Sequence, residues 1–236
     1  MADGSTPRAN VRQTAGEGVG GSEMAAGTVD IGMGDRLASP GAHICALYSS
    51  SEERDAILRS YLRSALAAGD KCFCVLDPTD AAQMTRVVRS IDEDHDIDLS
   101  ASLAARQLEV YGAEATTPFV ATDKIEFWKD AVAGVISEGQ YKQVRAIGEM
   151  SWFVVRDVPS AREVVRWESQ LNELLPMYPQ IHLCMFSLEK VGGAFLVDLV
   201  STHQQVFVEG MLVENPYYLP PQEWLERQER GLGRLG

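Results

Sequence analysis

Three pairs of residues stand out for their chemistry: His43 and Cys45 in HICALY, Cys72 and Cys74 in KCFCVL, and His182 and Cys184 in IHLCMFS. Each pair is spaced i, i+2 in an apolar run that reads as a strand, so both members face the same side of a sheet. Imidazole nitrogen and thiolate sulfur are the donors that zinc and other thiophilic metals take. His43, Cys45, His182 and Cys184 are therefore the candidate group for a metal or haem. The competing reading treats the cysteines as small apolar residues of the core, with no cofactor required. Side chains on a flat sheet do not turn easily toward one centre, which favours that second reading.

A phosphate site is the next chemistry to weigh. The run Ile44–Tyr48 leads through Ser49, Ser50, Ser51, Glu52 and Glu53 into a helical pattern. A phosphate-binding loop needs glycines whose N–H groups wrap the anion and a lysine to neutralise it. Neither residue type is present in this turn, and its two carboxylates favour the helix while repelling a triphosphate. ATP hydrolysis is not expected; residual nucleotide binding remains as an alternative. There is no G-x-S-x-G or H-E-x-x-H pattern either, so the chain does not read as an enzyme. His95, in DEDHDID, sits in an acidic run that reads as a solvated loop.

Aromatic residues form the third constellation: Tyr48, Trp128, Trp152, Phe153, Tyr217 and Tyr218. With His43, Glu149 and Asn215 as polar handles, such rings suit a small, weakly polar organic molecule, and their faces also suit a methylated cation. The turn Asn215–Tyr218, fixed by Pro216, is placed to fold over Tyr48 and Trp152 as a lid. The rings equally suit a solid plug.

The elements that must position these residues follow from periodicity. Strands are expected at 44–48, 72–76, 108–111, 144–148 and 181–187, with two short strands at 205–208 and 211–213 pairing as an antiparallel edge hairpin. Helices are expected at 51–68, 79–91, 99–106, from 122 or 123 to 138, 161–175, 194–200 and from 222. Ser50 with Glu53, and Ser160 with Glu163, have capping-box spacing, and Gly69 is placed to end the first helix. Met84, Val87, Val88 and Ile91 make the apolar face of the second helix. This alternation predicts an α/β fold with a mainly parallel sheet, helices on both faces, and ligands beyond the carboxyl ends of the strands. Residues 1–40, rich in Gly, Ala, Ser and Thr, read as a disordered tail with no part in the fold. Residues 41–225 read as one domain and 226–236 as a short C-terminal tail.

The 236 residues are 45% hydrophobic and 23% charged, ordinary for a globular protein, with a formal net charge of -13. That charge argues against non-specific attraction to nucleic acid or anionic lipid. Without an apolar run of membrane-spanning length or a signal pattern, the chain is expected in the cytoplasm, with its four cysteines reduced.

Several segments together resemble the MEDS domain, the methanogen/methylotroph sensory domain of DcmR-type regulators. They are HICALY at 43–48, GDKCFCVLDP at 69–78, IGEMSW at 147–152, LVSTH at 199–203 and ENPYY at 214–218. The wording departs after His203, where Gln204 replaces an expected proline, a change not expected to touch the pocket residues. The resemblance implies a degenerate RecA/KaiC-like fold that senses small hydrocarbon derivatives. In that strand order the first and fifth strands are neighbours, which would bring their H-x-C pairs together, and Glu149 takes the place of a water-activating carboxylate. It also favours the pocket over the plug, with ligand-facing residues His43, Cys45, Tyr48, Glu149, Trp152, Asn215, Tyr217 and Tyr218. Because only a short helix follows the domain, the implied output acts in trans, on an anti-sigma/STAS-type regulator or a kinase, or through the disordered tail, with a homo-oligomer as a further possibility.

Overall fold

The computed structural model describes residues 27–33, 37–76, 98–112, 125–153 and 160–231. The expected helix at 79–91, the loop carrying His95 and the expected helix start at 122–123 lie outside these residues. In chain order the elements begin with β1 (Val29–Asp30), β2 (Leu37–Ala38), β3 (His43–Tyr48), α1 (Ser51–Ala67) and β4 (Lys71–Leu76). They continue with α2 (Leu99–Ala104), β5 (Leu108–Gly112), α3 (Ile125–Ser137), β6 (Val144–Glu149) and α4 (Ala161–Leu174). The last are β7 (Gln180–Ser187), α5 (Gly193–Val200), β8 (Gln205–Val208), β9 (Met211–Glu214) and α6 (Pro221–Glu229).

A seven-stranded sheet runs in the order β5-β4-β6-β7-β3-β8-β9, parallel throughout except for the antiparallel β8–β9 hairpin at one edge. The expected α/β architecture and its edge hairpin are both present. Central strands of a parallel sheet are covered on both faces, which is why β3, β4 and β7 are buried along their whole length. Alternation then divides the core. Ile44, Ala46 and Tyr48 of β3, with Leu183 and Met185 of β7, pack under Ile57, Leu58, Tyr61 and Leu62 of α1. Cys45 and Leu47, with Cys184 and Phe186, face the opposite layer of α3, α4, α5 and Trp224 of α6.

Local chemistry sets the helix ends. Gly69, at φ +76°, closes α1 in a conformation glycine adopts without a Cβ penalty. Ser160 and Glu163 form the full reciprocal capping box at α4. At α1 the exchange is altered. Ser50 Oγ accepts from Glu53 N, but the Glu53 carboxylate takes the N–H of Ser49, 2.7 Å away.

The reading of residues 1–40 as a tail needs correction over its last part. β1 and β2 pair as a small antiparallel sheet, and Ile31, Met33 and Ala38 are buried in the layer under α1. Gly32 lies against α1 at φ +71°, and the Asp30 carbonyl accepts from Ser64 Oγ and Arg145 Nη1. The missed signal was period 2: Val29, Ile31 and Met33 alternate with small or polar residues. Among the described residues no helix is long and apolar enough to cross a membrane.

Candidate functional site

The eight residues expected to face one ligand fall into two groups at opposite ends of β3. Tyr48 closes the strand, and His43 opens it. At roughly 3.3 Å per residue, Ile44 and Tyr48 alone stand about 13 Å apart.

At the carboxyl end, the buried Tyr48 hydroxyl donates to Glu149 Oε1 at 2.7 Å. The same oxygen accepts from the Ser151 backbone at 3.0 Å, and Ser151 Oγ accepts from Ser187 N. Burial and the Glu149 charge push the Tyr48 phenol above its ordinary value, so it acts as a donor. Trp152 stays in the opposite core layer, edge-on to Phe153, and among the described residues its Nε1 has no acceptor. Beside this corner, backbone and hydroxyl donors at 50–52 hold the Glu52 carboxyl below its usual range. The N–H groups that would cradle a phosphate are thus partly taken by the chain's own acids.

Asn215, Tyr217 and Tyr218 lie at the other end and do not cover Tyr48 or Trp152. Asn215 Nδ2 donates to the Val200 and His203 carbonyls, and Tyr217 is 76% exposed. Gln204 does touch the expected pocket residues. Its Oε1 accepts from His43 N, its carbonyl accepts from Asn215 N, and its side chain bonds Tyr218.

At the opening of β3 the structure assembles a quartet. His43, Glu168, Cys184 and His203 are fully buried or nearly so, and their donor atoms all lie within 4.8 Å of one another. His43 Nε2 stands 3.1 Å from Glu168 Oε2 and 3.5 Å from Cys184 Sγ; His203 Nε2 stands 3.6 Å from Glu168 Oε2. β3 and β7 are neighbours, with His43 opposite His182 and Cys45 opposite Cys184, as the expected strand order requires. The expected four-residue set is nevertheless not the one gathered. His182 turns to Gln180 Oε1 and the edge of Trp128, and Cys45 stays in the core. Glu168 from α4 and His203 from the turn after α5 take their places.

The tautomers can be read from the partners. Asn172 Nδ2 donates to three carbonyls, those of Glu168, Ser169 and Thr202, so its Oδ1 is the acceptor that faces His43 Nδ1. His203 Nδ1 donates to the Leu199 carbonyl at 3.0 Å. Both imidazoles therefore carry hydrogen on Nδ1 and present bare Nε2 lone pairs toward Glu168. Burial keeps them neutral, lowering His43 to about 4 and His203 to about 3, and pushes the Glu168 carboxyl and Cys184 thiol upward. Donor atoms this close leave no space for a porphyrin between them. Cys72 and Cys74 face the other layer, where burial raises both thiols to about 12.

A cavity of about 360 Å³ lies elsewhere, between α3 and the starts of β4 and β5. Phe73, Tyr111 and Tyr141 are among its walls. Lys71 Nζ pairs there with Glu109 at 2.5 Å and lies 4.9 Å from the Phe73 ring centroid.

Residues 42–204 match the sequence model of the MEDS family, described as the methanogen/methylotroph, DcmR sensory domain. No curated protein matches the chain. Among solved structures, the chain is similar to the flagellar accessory protein FlaH from Methanocaldococcus jannaschii. The identity is 10%, over 73% of this chain and 75% of that one, with a TM-score of 0.49.

Proposed function

The chain belongs to the MEDS family, and on that premise we propose that it is a sensory domain with no catalytic activity of its own. In this reading it takes up a small, weakly polar organic molecule beside Tyr48, Glu149 and Ser151, and signals to a regulatory protein in trans. The observation that carries the proposal is the Tyr48–Glu149–Ser151 cluster at the carboxyl ends of β3 and β6, on either side of β7, where parallel α/β sheets hold their ligands. The neighbouring turn keeps its N–H donors for Glu52 and Glu53, which suits a neutral guest better than a phosphate. An acidic, cytoplasmic domain of this kind acts through a protein partner, an anti-sigma/STAS-type regulator or a kinase, or through a second copy, and not by contacting nucleic acid.

Thermal shift of the full chain against short alcohols, halomethanes and methylamines tests the reading, with magnesium ATP as a separate arm. Stabilisation by one organic class, weakened in Tyr48→Phe and retained in Tyr111→Phe, is expected. Silence across the panel, a response to ATP alone, or a response lost only in Tyr111→Phe would overturn it. The last outcome would put the ligand in the α3 cavity.

A further inference from the structure

The quartet at the start of β3 is independent of the strand-end site, and from it we infer a second input: His43, Glu168, Cys184 and His203 bind one thiophilic divalent metal ion, zinc foremost. Three features of the quartet support this. The first is spacing. Zinc bonds of about 2.0–2.3 Å in a tetrahedron place neighbouring donor atoms about 3.3–3.7 Å apart. Three of the six separations, 3.1, 3.5 and 3.6 Å, lie close to that range and the others stay within 4.8 Å, so the four donors need only draw together to share one centre.

The second is an unmet hydrogen-bond requirement. Two bare imidazole lone pairs and a carboxylate converge in a fully buried space, and buried acceptors without donors are costly. A proton on Glu168 or on the Cys184 thiol satisfies His43 Nε2, but His203 Nε2 and Glu168 Oε1 have no hydrogen-bond partner among the described residues. A single cation satisfies both imidazoles, the thiolate and the carboxylate together.

The third is the outer layer. Metal-bound histidines characteristically donate their other ring N–H to a carbonyl or similar acceptor, which fixes the ring and its tautomer. His43 does so to Asn172 Oδ1 and His203 to the Leu199 carbonyl. Asn172 is itself locked by Thr202 at 2.7 Å.

Binding forms one bond from the ion to each of His43 Nε2, His203 Nε2, Cys184 Sγ and a Glu168 oxygen. The Cys184 S–H bond breaks and its proton leaves to solvent, together with any proton on Glu168. No electrons change hands. The four ligands come from β3, α4, β7 and the α5–β8 turn, so the ion would cross-link the sheet to one covering helix and to the turn after another.

The test uses the purified full chain, stripped with a chelator and titrated with cobalt(II) alone. Uptake of a single ion per chain is expected, with thiolate-to-cobalt charge-transfer absorption and the intense visible bands of four-coordinate cobalt, both removed by zinc(II). Cys184→Ser should lose the charge-transfer band, and Asn172→Ala should weaken uptake about 10- to 100-fold. Cys45→Ala, on the same strand face but outside the quartet, should bind as the parent does. The parent titration decides even where a variant fails to fold: no cobalt band and no zinc-dependent rise in Tm overturn the site. A charge-transfer band that persists in folded Cys184→Ser overturns it as well.

Discussion

Glu109 is a carboxylate held by three donors. Burial works against its charge, yet hydrogen bonds from Lys71, Tyr111 and Arg106 outweigh that cost and bring it to about 2, against an ordinary 4.5. Between those values the unfolded chain binds the proton that the folded chain refuses, so stability falls as pH drops through this window. Urea midpoints measured from pH 5 to pH 2 should decline, and Glu109→Gln should flatten that decline. The residue scale is also where sequence reading lost most. His43 and Cys184 were legible because strand alternation announces a shared face. Glu168 had a signal that was overlooked: it lies four residues after Val164 and three before Leu171, a charged group on the buried stripe of α4. His203 had none, since its placement depends on how the turn after α5 folds back on α4. The lid expected from Asn215–Tyr218 failed for a related reason. The β8–β9 pairing, which sequence does not fix in register, sends that turn to the opening of β3.

Elements were read more securely than their contacts. Apolar runs in β3, β4 and β7 need burial on both faces, and capping residues mark α1 and α4 whatever the tertiary context. The short β1–β2 unit offers only the brief alternation of Val29, Ile31 and Met33 inside a Gly- and Ser-rich stretch, and its order comes from docking on α1. Gly32 is central to that docking. A Cβ there would lie 2.3 Å from the Ser60 carbonyl oxygen, in a backbone conformation that side chains rarely adopt. Gly32→Ala should cost about 1–3 kcal/mol from backbone strain, before any displacement of the unit is added. Denaturant melts read the loss, and amide exchange at 29–33 and 37–38 should rise more than elsewhere.

At the scale of the molecule, β3 is hydrogen-bonded on both sides, to β7 and β8, and carries a polar site at each end. The division of the core into two layers followed from alternation, whereas the pairing of β3 with β7 was implied by the family resemblance and the rest of the strand order came from the structure. Which polar groups meet inside those layers did not, because helix rotation and turn path set it. The limits of the family match, 42–204, differ from the limits of the folded unit. A fragment cut there would lose Ile31 and Met33 under α1 and Trp224 beside α4, stripping both core layers at once. Such a fragment should scatter light and bind apolar dyes, whereas one spanning 27–231 should stay monodisperse. Anyone wishing to express the sensory module separately would do well to choose the longer piece.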